Sequence, residues 1–259
     1  MEQVVRDEKY YLDDIFKPPA NIEAKVWRFM DFAKFISMLS TSSLYFTRID
    51  KFEDKLEGHL PERNRLAIVK DNDPCLYDGM FKSSREWQLC HFFNCWHISE
   101  HETSMMWRNY TDERFGVAIQ STYKLLSQEF SDNSDIKIGL VRYLDKQSGA
   151  IVNRDGVEDA IHLCYPLFTK DIVYSAESEL RIMYKKIETN ENWPQDGPFF
   201  VTSIEHGISI PASLSRIILQ VVVSPYGQPF FCDAVIDVID EYGYRFPVTQ
   251  SSLHFNINK

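Results

Sequence analysis

Three charged side chains at alternate positions mark the stretch IVYSAESELRIMYKK, residues 172 to 186. They are Glu177, Glu179 and Arg181, and the residues around them are typical of a strand. Because alternate side chains of a strand share a face, this spacing predicts a row of two carboxylates and one guanidinium. Fixed carboxylates can stabilise a developing cation or accept a proton, which is catalytic chemistry. The same row can also be an ion-pair ladder on a sheet face that meets water.

A second group of residues has side chains that bind metal ions. The stretch CHFFNCWHISEH contains Cys90, His91, Cys95, His97 and His101. It has no Cys-x-x-Cys pair, and no second ligand pair follows at zinc-finger spacing. A further acidic group could chelate a divalent cation, although a solvated turn that caps a helix explains it more simply; it consists of Asp50, Asp54 and Glu57. We therefore expect no metal.

Composition excludes several classes of protein. The chain has 259 residues, 44% of them hydrophobic and 25% charged, which is typical of a globular protein with a substantial core. A formal net charge of -10 argues against general nucleic-acid binding, since phosphate contacts need clustered Lys and Arg. No apolar run approaches the roughly 20 residues that span a bilayer, and the acidic start MEQVVRDEKYYLDD is unlike a secretory signal. The five cysteines suit free thiols in a reducing compartment, so we expect a cytoplasmic protein that does not bind membranes.

The elements that must position the acidic row mix strands and helices without a regular βαβ rhythm. Five strand patterns are predicted to share an antiparallel or mixed sheet: 25–30, 44–48, 115–120, 177–184 and 216–223. Asp31 is the predicted N-cap of a helix over FAKFISMLS, and residues 59–90 predict a helical insert on the surface. The sequence thus predicts a single α+β domain over residues 1–259.

Two further helices are indicated by apolar spacing. ETSMMWRNY predicts a helix whose Trp107 and Tyr110 are buried core anchors, and FFCDAVIDVIDEYG predicts a C-terminal helix that ends at Gly243. No G-x-G-x-x-G, Walker loop, G-x-S-x-G or H-E-x-x-H motif occurs. The simplest dinucleotide-fold, phosphate-loop, hydrolase and zinc-protease interpretations are therefore excluded.

Four separated blocks together resemble the bacterial domain-of-unknown-function family 2971. The blocks are LYFTRIDKFEDKLEG, CWHISEHETSMMWRNYTDERFGVAI, YSAESELRIMY and VVVSPYGQPFFCDAVIDVIDEYGYRFPVTQSSL. Their order and spacing are similar to that family's layout: an aromatic-rich strand before an acidic turn, a Met-Trp helix before a Gly-Val strand, a Glu-x-Glu-x-Arg strand and a terminal strand-helix-strand. The resemblance covers most of the chain and implies a fold more than an activity.

More distantly, the Glu-x-Glu pair resembles that of the ADP-ribosyltransferases, which implies NAD as the substrate. Those enzymes place Glu-x-Glu on a strand, an Arg or His on an early strand, and a hydroxyl-bearing strand between. The resemblance implies that Arg28 of KVWRFM holds the pyrophosphate or ribose. It assigns Tyr45 or Thr47 of LYFTR to the hydroxyl-bearing strand, and Arg181 joins these cofactor-binding candidates.

The same resemblance implies roles for the two carboxylates. Cleavage of the nicotinamide–ribose bond builds an oxocarbenium-like cation, which Glu179 would stabilise while it holds a ribose hydroxyl. Glu177 would deprotonate or orient an acceptor. Both are therefore candidate catalytic residues.

The sequence leaves two main hypotheses open. One is an NAD-consuming transferase or glycohydrolase, a toxin-like or phage-defence effector that acts on a macromolecular target or on the NAD pool. The alternative is a non-catalytic protein-interaction or sensor module whose acidic row is an ion-pair ladder. The first requires Arg28 and Glu179 to converge on one cleft beside an aromatic ring, and the second predicts that they lie apart. A third, a metal-dependent nuclease that uses the acidic turn of Asp50, Asp54 and Glu57, is disfavoured by the net charge of -10, which repels substrate phosphates.

Overall fold

The computed structural model describes residues 9–11, 15–71, 87–152, 164–186 and 205–253. The helices are α1 (Phe32–Thr41), α2 (Glu62–Asp71), α3 (Ser104–Tyr110), α4 (Tyr123–Glu129), α5 (Leu214–Ile217) and α6 (Pro229–Glu241). The strands are β1 (Lys9–Tyr11), β2 (Lys25–Asp31), β3 (Ser43–Arg48), β4 (His91–Ile98), β5 (Gly116–Thr122), β6 (Ile136–Leu140), β7 (Arg142–Leu144), β8 (Ala150–Val152), β9 (Thr169–Asp171), β10 (Glu179–Lys185), β11 (Gly207–Pro211), β12 (Gln220–Val223) and β13 (Val248–Gln250). The mixture confirms an α+β fold.

A nine-stranded sheet dominates the described residues. Its main path runs β11-β3-β4-β2-β5-β12-β13, and β10 pairs with both β4 and β6. All of its pairs are antiparallel except β12 with β13. The five predicted strand regions all contribute to this sheet, as the sequence indicated.

Strand β4 is the point where the sheet divides. One edge of β4 pairs with β10 from His91 to His97. On the other edge, β3 pairs at Phe92 and Phe93, whereas β2 pairs only at His97 and Ile98. Strands β2 and β3 therefore diverge beside the middle of β4.

The two faces of the sheet carry different side chains. Phe92 and Trp96 of β4 and Leu180 of β10 point into the large apolar core, which α1, α4 and α6 also contribute to. Alternate residues of the same strands point to the other face, where smaller clusters form around Phe93 and around Trp107. Glu179 and Arg181 belong to this second face because they alternate with Leu180.

Several predicted elements need correction. Glu177 ends a 3-10 turn, Ile172–Glu177, and β10 begins only at Glu179, so the predicted strand over 177–184 starts too early. The predicted strand over 216–223 is instead the short helix α5 followed by β12. The apolar run over 216–223 does not distinguish helix from strand, and the pairing of β12 with β5 and β13 defines the strand part.

The capping and insert predictions are met in part. Asp31 occupies the N-cap position of α1 but makes no side-chain cap, because its Oδ1 accepts the Asp112 N–H at 2.7 Å. In the predicted insert over 59–90, α2 is helical, while residues 72–86 lie outside the described residues. The helix α6 runs to Glu241 and Gly243 follows with φ of 77°, as predicted for its end. Within the described ranges, no helix is both long and apolar enough to traverse a bilayer.

Candidate functional site

The acidic row of the sequence is split by a change of backbone conformation. Ser178 adopts φ of 40° and ψ of 57°, a left-handed conformation that separates the 3-10 turn from β10. The turn itself starts with a side-chain cap, since Asp171 accepts the Val173 N–H at 3.1 Å. Glu177 and Glu179 therefore do not stand on one strand face, which corrects the prediction.

Arg181 is the centre of a buried ion cluster and has no exposed surface. Its Nε and Nη2 donate to the two carboxylate oxygens of Glu179 at 2.8 and 3.0 Å. Nη2 also donates to Glu57 Oε2 at 2.6 Å, and Nη1 donates to the Leu167 carbonyl at 2.7 Å. Arg181 and Glu179 thus form a bidentate, desolvated ion pair and are not part of an ion-pair ladder in water.

Lys170 joins this cluster to Glu177. Its Nζ lies 2.8 Å from Glu57 Oε1, 2.6 Å from Glu177 Oε2 and 3.7 Å from Glu179 Oε2. We call the set Glu57, Lys170, Glu177, Glu179 and Arg181 the ion cluster. Its three carboxylates face two cations, so one negative charge is not balanced within the set.

Charge pairing outweighs burial in setting the pKa values of Glu179 and Lys170. Burial by itself raises the pKa of Glu179, but the charge and hydrogen bonds of Arg181 outweigh it and lower that pKa to about 2. Burial by itself lowers the pKa of Lys170, but the charges of Glu179 and Glu57 outweigh it and raise that pKa. Glu179 and Lys170 therefore stay charged at neutral pH.

Glu177 is the member of the ion cluster that lines an open groove of about 930 Å³. The Tyr110 hydroxyl donates to its Oε1 at 2.9 Å, while Oε2 binds Lys170. Burial of the Tyr110 hydroxyl and the neighbouring charge of Glu177 raise the Tyr110 pKa, so the phenol remains a donor. Tyr110 is 41% exposed, which corrects its predicted burial, whereas Trp107 is fully buried as predicted.

The groove lies between α3, the start of α1 and the 3-10 turn before β10. Its lining residues are Asp31, Lys34, Glu53, Met105, Asn109, Tyr110, Thr111, Asp112, Val173, Tyr174, Ala176 and Glu177. Four of them are carboxylates and one is a lysine, so the lining is acidic. Two tyrosine rings add apolar surface. The groove can therefore receive a ligand that combines positive charge with a flat ring.

Arg28 fills the gap where β2 and β3 diverge. Its Nη1 donates to the Cys95 carbonyl of β4 at 3.0 Å, and its Nη2 donates to the Tyr45 carbonyl of β3 at 3.3 Å. Asn94 also donates to the Tyr45 carbonyl, at 2.9 Å. Because Cys95 is the register partner of Arg181, the Arg28 head group lies one strand away from the ion cluster.

Tyr45 and Thr47 stand apart from the ion cluster. The Tyr45 ring lies against Gly207 of β11 and is 49% exposed, and Thr47 pairs in register with Gly207 and Phe93. Among the residues that the structure describes, neither side chain has a hydrogen bond to the cluster. The structure thus brings together Glu177, Glu179 and Arg181, and leaves Tyr45 and Thr47 at β3. Neither Arg28 nor Glu179 lines the groove at Glu177, so the two do not converge there as the transferase hypothesis requires.

The cysteines and histidines of β4 are used within the fold. Cys95 lies beside Glu179 and Arg181, and burial raises the pKa of its thiol. The ring nitrogen Nδ1 of His91 lies 2.6 Å from the Trp87 carbonyl, and that of His97 lies 2.6 Å from the Glu177 carbonyl. No group of three or more metal-ligating side chains occurs in the part of the chain that the structure describes.

Sequence reasoning missed two members of the ion cluster. Glu57 was assigned to a solvated turn, yet it is only 5% exposed and binds both Arg181 and Lys170. Lys170 had no sequence signal, since nothing near it shows that three carboxylates converge there. Tyr110 could have been found as a groove residue because a polar end at the last turn of a helix often stays accessible.

Comparison with known proteins yields one solved structure. No family model and no curated protein matches the chain, so the resemblance to family 2971 stays a prediction. The solved structure is that of Thermus sp. 2.9 DarT in complex with carba-NAD+, which is 9% identical. The match covers 89% of this chain and 96% of that chain, with a TM-score of 0.39. A likeness at that score does not establish a shared fold or activity.

Proposed function

We propose that this chain cleaves NAD in the groove beside Glu177 and acts as an ADP-ribosyltransferase or NAD glycohydrolase. The observation that carries the proposal is the Glu177 carboxylate at the wall of a groove of about 930 Å³, fixed from behind by Lys170. That volume is within the range of about 300 to 1,000 Å³ in which small-molecule and cofactor sites fall. Tyr110 fixes the second carboxylate oxygen.

The charge of the groove fits the change of charge during this reaction. The bond between ribose C1′ and the pyridinium nitrogen breaks, and its electron pair goes to that nitrogen, which leaves neutral nicotinamide. Positive charge therefore moves from the ring to the ribosyl oxocarbenium. A fixed carboxylate near the ribose stabilises the oxocarbenium-like transition state more than it stabilises bound NAD, and so lowers the barrier.

In this proposal Glu177 is the catalytic carboxylate, because it is the acid of the Glu-x-Glu pair that lines the groove. Glu179 has both oxygens on Arg181 and is 7% exposed, so its role is to hold the ion cluster. A water molecule or a nucleophile of a macromolecular target then attacks C1′, and its proton goes to Glu177 or to solvent. Arg28 does not line the groove, and its two carbonyl contacts link β2 to β4 and β3.

The remaining lining residues supply binding contacts. Tyr110 and Tyr174 offer rings for a nicotinamide or adenine base. Lys34, whose Nζ lies 3.2 Å from Asp31 Oδ2, is the cation in the lining that a phosphate oxygen would contact. The toxin-like or phage-defence role remains part of this proposal, since release of nicotinamide from the NAD pool or transfer to a target would harm a cell.

The experiment compares wild type with Glu177→Gln, which keeps the shape and removes the negative charge. Release of nicotinamide is followed by chromatography, and unfolding is followed in parallel. We expect turnover to fall by about 100-fold or more, the usual effect of losing a group that stabilises the transition state. Glu23→Gln is the matched control, because Glu23 pairs with Lys124 at 2.5 Å outside the groove.

An interaction module is the second candidate, and one observation favours it. Val173, which lines the groove, is 76% exposed. An apolar side chain at a groove edge suits a protein contact. If the wild-type chain neither binds NAD by calorimetry nor releases nicotinamide, the enzyme proposal fails and this candidate replaces it.

A further inference from the structure

We propose that His97 is a positioning residue that holds Glu177 at the groove through the Glu177 main chain. This inference rests on the proposed function, in which Glu177 is the working carboxylate. Its observation is independent of NAD: His97 Nδ1 lies 2.6 Å from the Glu177 carbonyl oxygen. Since a carbonyl only accepts, Nδ1 carries the proton and donates it.

His97 is fixed in the sheet and is thus a rigid support. It pairs in register with Glu179 of β10 on one side and with Trp27 of β2 on the other. Its side chain is 4% exposed and its ring lies 6.5 Å from that of Phe29. Because the His97 side chain has so little freedom to move, the position of β4 fixes the position of the Glu177 carbonyl that it binds.

The contact between His97 and Glu177 lies where the backbone changes from the 3-10 turn to strand β10. Glu177 is the last residue of the 3-10 turn, and the left-handed Ser178 follows it. The next residue of β4, Ile98, donates its N–H to the Ser178 carbonyl at 2.9 Å. Two consecutive carbonyls of the turn are therefore held by two consecutive residues of β4, and the direction of the Glu177 side chain follows from that anchorage.

The second imidazole nitrogen, Nε2, indicates that His97 is needed for its Nδ1 donor and not for packing. His97 Nε2 is buried and has no hydrogen-bond partner among the residues that the structure describes. An apolar side chain would fill this buried position beside Phe29 without leaving an unsatisfied nitrogen. The donor at Nδ1 is then the property that an apolar residue cannot supply, and burial favours the neutral ring because it lowers the pKa of His97.

Two variants separate the donor from the packing. His97→Asn places an amide N–H close to the position of Nδ1, whereas His97→Leu keeps the volume and removes the donor. We expect His97→Leu to lower kcat for nicotinamide release by about 10- to 100-fold with little change in KM, because a small misplacement of a catalytic group has that effect. His97→Asn should stay within about threefold of wild type, since the hydrogen bond is retained.

A structural readout tests the hold without any NAD. Nitrogen-15 NMR of the side chain should show the neutral Nδ1–H tautomer of His97, and hydrogen exchange at the Ser178 amide should be faster in His97→Leu than in wild type or His97→Asn. An Nε2–H tautomer, or equal exchange in all three proteins, overturns the inference. If wild type releases no nicotinamide while these NMR results hold, the proposed function fails and the anchorage of Glu177 stands. Equal loss of turnover in His97→Leu and His97→Asn would also overturn the inference that His97 positions Glu177 through a hydrogen bond.

Discussion

Replacement of Arg181 by methionine is expected to be among the most damaging single changes to this fold. The guanidinium is fully buried and donates hydrogen bonds to Glu179, Glu57 and the Leu167 carbonyl. Methionine fills part of the volume but leaves two buried carboxylates with Lys170 as their remaining cation.

The magnitude follows from the number of groups left without a partner. Breaking a buried ion pair by removal of one partner costs about 3 to 5 kcal/mol. The lost donor to Leu167 adds about 1 to 3 kcal/mol for an unsatisfied buried acceptor. We therefore expect a loss of at least about 4 kcal/mol in the free energy of unfolding, which is a large part of the usual total of about 5 to 15 kcal/mol.

Urea denaturation followed by circular dichroism measures this loss, provided that the m value is unchanged. Arg216→Met is the matched control, because Arg216 makes a 2.6 Å ion pair with Glu129 while its side chain is 69% exposed. That variant should lose much less, because the Arg216 side chain is in contact with water and Glu129, whose side chain is 8% exposed, still accepts the Ser213 N–H at 2.7 Å. Equal, small losses in Arg181→Met and Arg216→Met would refute the claim of a desolvated cluster.

A combined variant tests the physical cause. Replacing Glu57, Glu179 and Arg181 together by apolar residues leaves Lys170 paired with Glu177. Because the unpaired buried charges are then gone, this variant should be more stable than Arg181→Met alone. A further fall in stability would show that packing, and not uncompensated charge, accounts for the single-variant loss.

Three further predictions concern stability. Trp107→Ala empties a fully buried ring site and removes the 2.9 Å hydrogen bond to Glu102, so chemical denaturation should show a loss of about 3 to 5 kcal/mol, and a wild-type midpoint would contradict this. Burial lowers the pKa of His91 to about 4 in the folded protein, against about 6.5 in the unfolded chain. Between these two pH values the unfolded chain binds more protons than the folded protein, so the free energy of unfolding should fall as pH falls, by up to about 3 kcal/mol. His91→Phe should lose this part of the pH dependence, and identical slopes in urea titrations of the two proteins would disprove it. Gly116→Ala should lower stability by about 1 to 3 kcal/mol, because a Cβ there would lie 2.5 Å from Thr111 Oγ1 and 3.0 Å from the Asp112 carbonyl, and an unchanged melting temperature would oppose that account.

Local patterns were sufficient for much of the fold. Helices α1 and α6 were predictable from apolar residues at helical spacing, and β2, β3 and β5 from short apolar runs between helices. The burial of Trp107 follows from the same spacing. These features depend on neighbours within a few residues, which is the range over which periodicity acts. The single-domain organisation and the cytoplasmic location remain predictions.

The candidate site was only half predictable. The sequence singled out Glu177, Glu179 and Arg181 as charged residues in an apolar setting, and the structure places all three in one cluster. It could not show that Ser178 takes a left-handed conformation, which turns Glu177 toward the groove while Glu179 stays on the sheet. That choice depends on the anchorage of the turn against β4, which no local pattern records.

The remaining members of the site were decided by tertiary structure alone. Glu57 binds Arg181 across 124 residues of sequence, and Lys170 bridges Glu57 to Glu177. Short-range patterns state which side chains are charged, whereas the strength of a charge pair depends on how much water is removed around it. The sequence by itself therefore determined that acidic residues precede and begin β10. Only the anchorage of the 3-10 turn Ile172–Glu177 against β4 and the contacts across the sheet decided which of them is buried and which one faces the groove.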